Sequence, residues 1–111
     1  MSYGDFQKYL DKHHKKVNFV RDIQPQINKL SADCFRSVFG KIDMKRRINT
    51  FEIFGLDFML DDDFKVYLIE VNTNPCLQTS ESPLLSRLVP AMVDNTFRLV
   101  IDPLFPPPAA Y

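Results

Sequence analysis

Glycine is scarce in this chain, three in 111 residues. None of the three falls in the G-x-x-x-x-G-K-[ST] or G-x-G-x-x-G spacing that cradles phosphates. Any nucleotide bound here is therefore held without the common glycine loops. Cysteine is as sparse: Cys34 and Cys76 stand too far apart for a metal or redox spacing. One disulfide would fit, but a reduced intracellular compartment is the simpler reading. Excess charge is also lacking, because fourteen basic and fourteen acidic residues cancel. No global field then argues for nucleic acid or an acidic membrane as partner. No apolar run is long enough to span a bilayer, and MSYGDFQKYLDKHHKK holds no apolar core of signal-peptide length. These absences lead to the expectation of a cytosolic chain. There are no internal repeats, and no Ser/His/Asp or Cys/His arrangement assembles from the spacing, so no catalytic nucleophile is assigned.

What remains is globular: 45% hydrophobic and 25% charged residues over a length suited to one domain. The chain is organised around residues 51–75, FEIFGLDFML-DDD-FKVYLIEVNTNP, read as two β-strands joined by an acidic turn. The second strand, Val66 to Val71, is rich in β-branched and aromatic residues, as a buried strand is. It nevertheless carries Glu70, and a carboxylate leaving water needs a partner or a metal. Asn72 follows two positions later, and Asp57 lies thirteen residues earlier in an equally apolar strand. Three oxygen ligands on one hairpin suggest a divalent cation; pairing of the two carboxylates with arginines is the plainer alternative.

Geometry sharpens that reading. Opposed residues of an antiparallel pair face the same side, and their numbers add to a constant. A four-residue turn at 61–64 pairs Leu60 with Lys65, a sum of 125. Asp57 then faces Leu68, with Glu70 a diagonal step of roughly 7–8 Å away on the same face. Gly55 would oppose Glu70 and leave room for a ligand, and Asn72 joins that face if the strand continues. A turn with an odd number of residues would put Asp57 and Glu70 on opposite sides. Asp61, Asp62 and Asp63 lack the glycine and terminal glutamate of a calcium loop and read as turn residues.

The flanks are helical. A short helix is expected at residues 6–12 after an Asp5 cap, and His13, His14, Lys15 and Lys16 read as a solvated face. Residues 22–39 form the clearest helix, with Ile23, Ile27, Leu30, Cys34 and Val38 in one stripe widened by Phe35 and Phe39. Asp22 caps it, Pro25 fits its first turn, and Gly40 ends it. A basic link with Lys45, Arg46 and Arg47 follows, a solvated loop or a holder of phosphates or an anionic substrate. Ser82-Pro83 starts a further helix whose broad apolar face runs from Leu84 to Val100, with Pro90 expected to kink or split it. Residues 106–111 read as a proline-rich tail. The fold class is α+β: helix, antiparallel β-hairpin, helix.

F-E-I-F-G-L-D-F-M-L-D followed by Y-L-I-E-V-N-T-N-P resembles the C-terminal signature of the tubulin–tyrosine ligase-like family, within the ATP-grasp superfamily. Asp5-Phe-Gln-Lys-Tyr-Leu, the 23–39 helix and Pro83-Leu-Leu-Ser-Arg-Leu-Val-Pro are similar to further family segments. The resemblance implies that residues 2–105 form the C-terminal portion of such a ligase domain, with 106–111 as a tail. It implies an ATP-dependent ligase: ATP phosphorylates a carboxylate, and an amine attacks the acyl phosphate to form an amide or isopeptide bond. Tyrosine, glutamate or glycine is added to tubulin or other proteins, as in polyglutamylation. Carried over by position, Asp57, Glu70 and Asn72 hold the Mg²⁺ that bridges the ATP phosphates. ATP and tubulin or microtubules become the expected partners, in the cytoplasm at the cytoskeleton or cilium.

The family's ligase domain is several times longer than this chain. The expectation is that the upstream ATP-grasp strands are missing and that the chain is inactive alone. A non-catalytic module that binds tubulin or a complete ligase, and a decayed remnant, stand as the alternatives. Which amino acid is transferred is not readable from the sequence.

Overall fold

The computed structural model of the chain describes residues 1–14, 16–46, 48–80 and 82–108. Helix α1 spans Tyr3–His13, α2 spans Gln24–Ile42 and α3 spans Pro83–Val100; strands β1 and β2 are Gly55–Leu60 and Val66–Asn72. The expected α+β order of helix, antiparallel hairpin and helix is thus present, with α1 longer than anticipated. The helices and strands divide between two compact units: Met1–Ile48 with Ile53–Pro75, and Asn49–Glu52 with Cys76–Tyr111.

In the first unit α1 starts three residues earlier than expected because Ser2, not Asp5, is its cap. The Ser2 hydroxyl accepts from the Asp5 N–H at 3.1 Å, and the Asp5 carboxylate accepts from the Ser2 N–H at 3.1 Å. This reciprocal pairing satisfies two otherwise orphaned donors. His13 and His14 are exposed as anticipated, although the His14 ring also meets Phe64 edge-on at 4.9 Å; Lys15 lies outside the described residues.

A five-residue π-helical turn, Phe19–Ile23, leads into α2. Asp22 does not cap α2. Its carboxylate takes two bonds from the Arg21 guanidinium, at 2.6 and 2.7 Å, and one from the Asn18 N–H at 2.8 Å. Those donors, Arg21 first, hold the Asp22 carboxyl at about 2, below its ordinary range. Pro25 sits in the first turn of α2 as expected. Gly40 does not end the helix, which runs on to Ile42; it has no positive φ, so it is an ordinary helical glycine rather than a left-handed cap.

The core of this unit gathers Leu10, Phe19, Ile23 and Val66, with Phe6, Val17, Ile27, Leu30, Phe58, Leu60 and Phe64 packed around them. The anticipated stripe of α2 is therefore core only in its first half. Beyond Leu30, Cys34, Phe35 and Val38 are half-buried and Phe39 is 62% exposed. Apolar periodicity states which face would leave water, and here too few residues cover its far end.

One side chain ties α2 to the hairpin. Gln26 Nε2 donates to the Phe64 carbonyl at 3.1 Å and to the Asp22 carbonyl at 2.8 Å, and Gln26 Oε1 accepts from the Val66 N–H at 3.1 Å. The anchor falls where the chain leaves the turn through Phe64, a non-glycine residue at φ 61°.

In the second unit Ser82 caps α3 through the Leu84 N–H at 3.3 Å, and Pro83 takes the first helical position, as expected. Pro90 does not split α3. It lacks an N–H and forgoes one ladder bond, which the rest of an eighteen-residue helix tolerates. The apolar face of α3 is not a core: none of its residues is fully buried, and Leu85, Leu88, Phe97 and Leu99 are exposed. Residues 106–108 have no regular structure, and 109–111 lie outside the described residues.

Gln26→Ala leaves the Phe64 carbonyl and the Val66 N–H without their side-chain partner. A loss of about 1–3 kcal/mol is expected, the cost of unsatisfied buried groups. Urea unfolding followed by circular dichroism checks it, and an unchanged midpoint would remove Gln26 from the set of residues that anchor the hairpin.

Candidate metal centre

The turn between the strands is built by Asp61. Its Oδ1 accepts from the N–H groups of Lys65 at 2.8 Å and Asp63 at 3.1 Å, and its Oδ2 accepts from the Tyr67 hydroxyl at 3.1 Å. These donors, the Lys65 N–H foremost, hold the Asp61 carboxyl below the usual carboxylate range. The expected turn role of the acidic run is therefore realised at Asp61. The turn itself is longer than expected: Leu60 pairs with Val66, not Lys65, which leaves five residues between the strands.

An odd turn of this kind would separate the two carboxylates if the ladder ran unbroken. It does not. Leu60, Met59 and Phe58 pair with Val66, Tyr67 and Leu68; Asp57, Leu56 and Gly55 then pair with Glu70, Val71 and Asn72. Ile69 is left over, a β-bulge between the Phe58 and Asp57 pairs. The reason lies on the apolar face. Val66 and Leu68 meet Leu60 and Phe58 there, and the bulge lets Val71 meet Leu56 in place of Glu70. Without it Glu70 would lie among apolar side chains, at the cost of leaving water.

The result corrects the expected register in detail. Asp57 faces Glu70 directly rather than diagonally, a relation that puts Cβ atoms about 4.5–5.5 Å apart. Gly55 opposes Asn72, not Glu70. By strand alternation Gly55, Asp57, Glu70 and Asn72 share one face. Glu70 is not buried as anticipated; both carboxylates are exposed and Asn72 is half-buried.

Among the described residues no arginine pairs with Asp57 or Glu70. The ion pairs among the described residues are Arg21–Asp22, Lys29–Asp33, Arg36–Asp33 and Arg98–Asp94. Lys45 and Arg46 are exposed, and Arg47 lies outside the described residues. Like charges set directly across a strand pair repel, which an intervening cation would reverse. Two carboxylates and an amide carbonyl form a hard oxygen donor set that fits Mg²⁺. Among the described residues no group of three or more His, Cys, Asp or Glu side chains assembles. Water and ligand oxygens would have to complete the shell, which is how Mg²⁺ is commonly held beside phosphates.

The bulge is what sequence reasoning missed. Its signal was ambiguous: Val66, Leu68 and Val71 break period two, whereas Tyr67, Ile69 and Val71 keep it. An interruption of period two inside a strand points to an extra residue.

Comparison with known proteins gives the chain a family. The family model described as Tubulin-tyrosine ligase family matches residues 1–108. The chain is 35% identical over 80 residues to the inactive polyglycylase TTLL10 of Homo sapiens, a match covering 72% of this chain and 11% of the human one. It is 35% identical over 97 residues to tubulin glycylase 3A of Drosophila melanogaster, covering 87% of this chain and 10% of the fly protein. Tubulin glycylase 3C of Tetrahymena thermophila is 34% identical over 98 residues, covering 88% and 9%. The chain belongs to the tubulin–tyrosine ligase family, and it spans about a tenth of the length of these relatives. Among the described residues no helix is long and apolar enough to cross a membrane.

Mn²⁺, which accepts the same oxygen ligands, reports occupancy by broadening nearby NMR signals. Broadening centred on Asp57, Glu70 and Asn72 is expected, and its loss in Asp57→Asn and Glu70→Gln. Broadening centred instead on Asp61 to Asp63, and unchanged in those variants, would place the ion at the turn.

Proposed function

We propose that this chain supplies the Mg-ATP-binding hairpin of an ATP-dependent carboxylate–amine ligase with ATP-grasp architecture. Residues 2–105 form the C-terminal portion of the ligase domain in this reading, and 106–111 are its tail. The observation that carries it is the direct opposition of Asp57 and Glu70 on an exposed face, in a chain of the tubulin–tyrosine ligase family. Asp57, Glu70 and Asn72 would hold Mg²⁺ against the ATP phosphates. The ion supplies charge neutralisation as the phosphoryl group is transferred to the substrate carboxylate. An amine then attacks the acyl phosphate, the new C–N bond forms, and phosphate leaves.

Glycine is the amino acid this reading favours, and tubulin the acceptor. The support is that two of the three relatives above bear the name tubulin glycylase. Such a protein would work in the cytoplasm on the cytoskeleton or in cilia. Three isolated ligands should bind Mg-ATP weakly, since the nucleotide's oxygens and other protein groups must complete the shell.

A second reading has its own observation: the human relative is named an inactive polyglycylase. The chain would then be a non-catalytic module that binds tubulin or another protein.

A chimera separates the two readings. Residues 1–108 replace the matching stretch of the Tetrahymena glycylase, and labelled glycine is followed into tubulin. Incorporation is expected, with a drop of about 10²-fold or more in Asp57→Ala and Glu70→Ala, the scale on which loss of transition-state charge stabilisation acts. Equal incorporation with and without the carboxylates would contradict the metal role. Microtubule co-sedimentation of the chain, unaffected by those changes and without ligation by the chimera, supports the second reading.

A further inference from the structure

Gly55 has no backbone reason to be glycine. Its φ is not positive, and as the first residue of β1 it forgoes side-chain packing and costs conformational entropy. What the position requires is space. A Cβ built on Gly55 would stand 3.1 Å from the Cβ of Pro75 and 3.6 Å from that of Asn72. The first distance is tighter than ordinary van der Waals contact; the second is ordinary.

Pro75 reaches this place because the chain bends at Thr73 and Asn74, immediately after β2 ends at Asn72. The proline ring fixes its own φ and restricts the residue before it, so the returning segment is stiff. Asn72 pairs across the ladder with Gly55 and is followed, three residues on, by the ring that fills the space above Gly55. Gly55 thus lies between Asn72, its partner in the ladder, and the returning Pro75.

We infer that Gly55 and Pro75 form a clasp that orients the Asn72 amide for the metal. Both are positioning residues, and neither touches the ion. The inference rests on the magnesium reading of the hairpin, and it assigns a role to a glycine that the register moved away from Glu70. A side chain at residue 55 would make Pro75 give by a few tenths of an ångström, and through the bend at Thr73 and Asn74 that shift would reach Asn72. Asp57 and Glu70, held by the ladder farther along, would keep their places.

The test is a double-mutant cycle in the full 111-residue chain, with Mn²⁺ alone as the probe. Gly55→Ala made with Pro75 present is expected to weaken Mn²⁺ binding about tenfold, the lower end of what loss of a supporting contact costs a metal site. The same change made on Pro75→Gly, which has no Cβ to meet, is expected to cost nothing further. A metal-free readout accompanies it. The side-chain amide signals of Asn72 should shift in Gly55→Ala, while the Gly55→Ala/Pro75→Gly chain should match Pro75→Gly alone. Equal costs of Gly55→Ala in the two backgrounds, or Asn72 signals that ignore the substitution, would overturn the clasp. If wild type shows no Mn²⁺ broadening at Asp57 and Glu70, the magnesium reading fails, and the metal-free cycle still decides whether Gly55 and Pro75 set Asn72. Should Gly55→Ala prove unfolded by circular dichroism while Gly55→Ala/Pro75→Gly folds, the steric contact stands but the positioning role is overturned, because the contact then serves stability.

Discussion

A β-strand has two faces, and Val66, Leu68 and Val71 of β2 share the one that leaves water, while Tyr67 and Ile69 stay exposed. Val66, Leu68 and Val71 cannot do so in an unbroken ladder, because the last step is three residues rather than two. The bulge at Ile69 resolves the conflict by removing one residue from the count. Val71 then meets Leu56 on the half-buried side, and Glu70 and Asn72 turn to the side that carries Asp57. The carboxylate pair is thus a consequence of apolar packing on the opposite face. Gln26, bonded to both ends of the segment that leaves the turn, fixes where that packing starts.

Exposure decides what the pair can do. On an open face the two carboxylates lie within reach of a cation from solution. Both carboxylates lie on the face opposite the one that packs on the core around Ile23. In the proposed site a third oxygen would come from Asn72, at the last position of β2, where regular strand geometry is about to end. That is the least constrained of the three places, and the close approach of Pro75 to Gly55 is what the structure adds there.

Local chemistry made much of this readable from the sequence. Ser82-Pro83 marks the start of α3, Asp61 anchors the turn, and the first half of the α2 stripe is core, each because a few adjacent residues decide the outcome. The family signature was readable for the same reason, being two short runs at fixed spacing. The start of α1 was misplaced because Ser2 and Asp5 both qualify as caps and only their reciprocal bonding shows which leads. Gly40 reads as a stop, yet a glycine terminates a helix only where the chain needs a left-handed residue. Phe39 is expected inside and is exposed; hydropathy states what would be buried, not what is present to cover it. The register was missed because turn length and bulge each shift the count by one, and a sum from either alone is wrong.

The direct opposition of Asp57 and Glu70 is the claim on which the metal site stands, and cross-strand nuclear Overhauser contacts in the metal-free chain test it. Contacts linking Asp57 with Glu70 and Phe58 with Leu68, with Ile69 unpaired, are the expected result. Contacts linking Asp57 with Ile69 and Leu56 with Glu70 would mean an unbroken ladder, with the carboxylates on opposite faces and no shared ion between them.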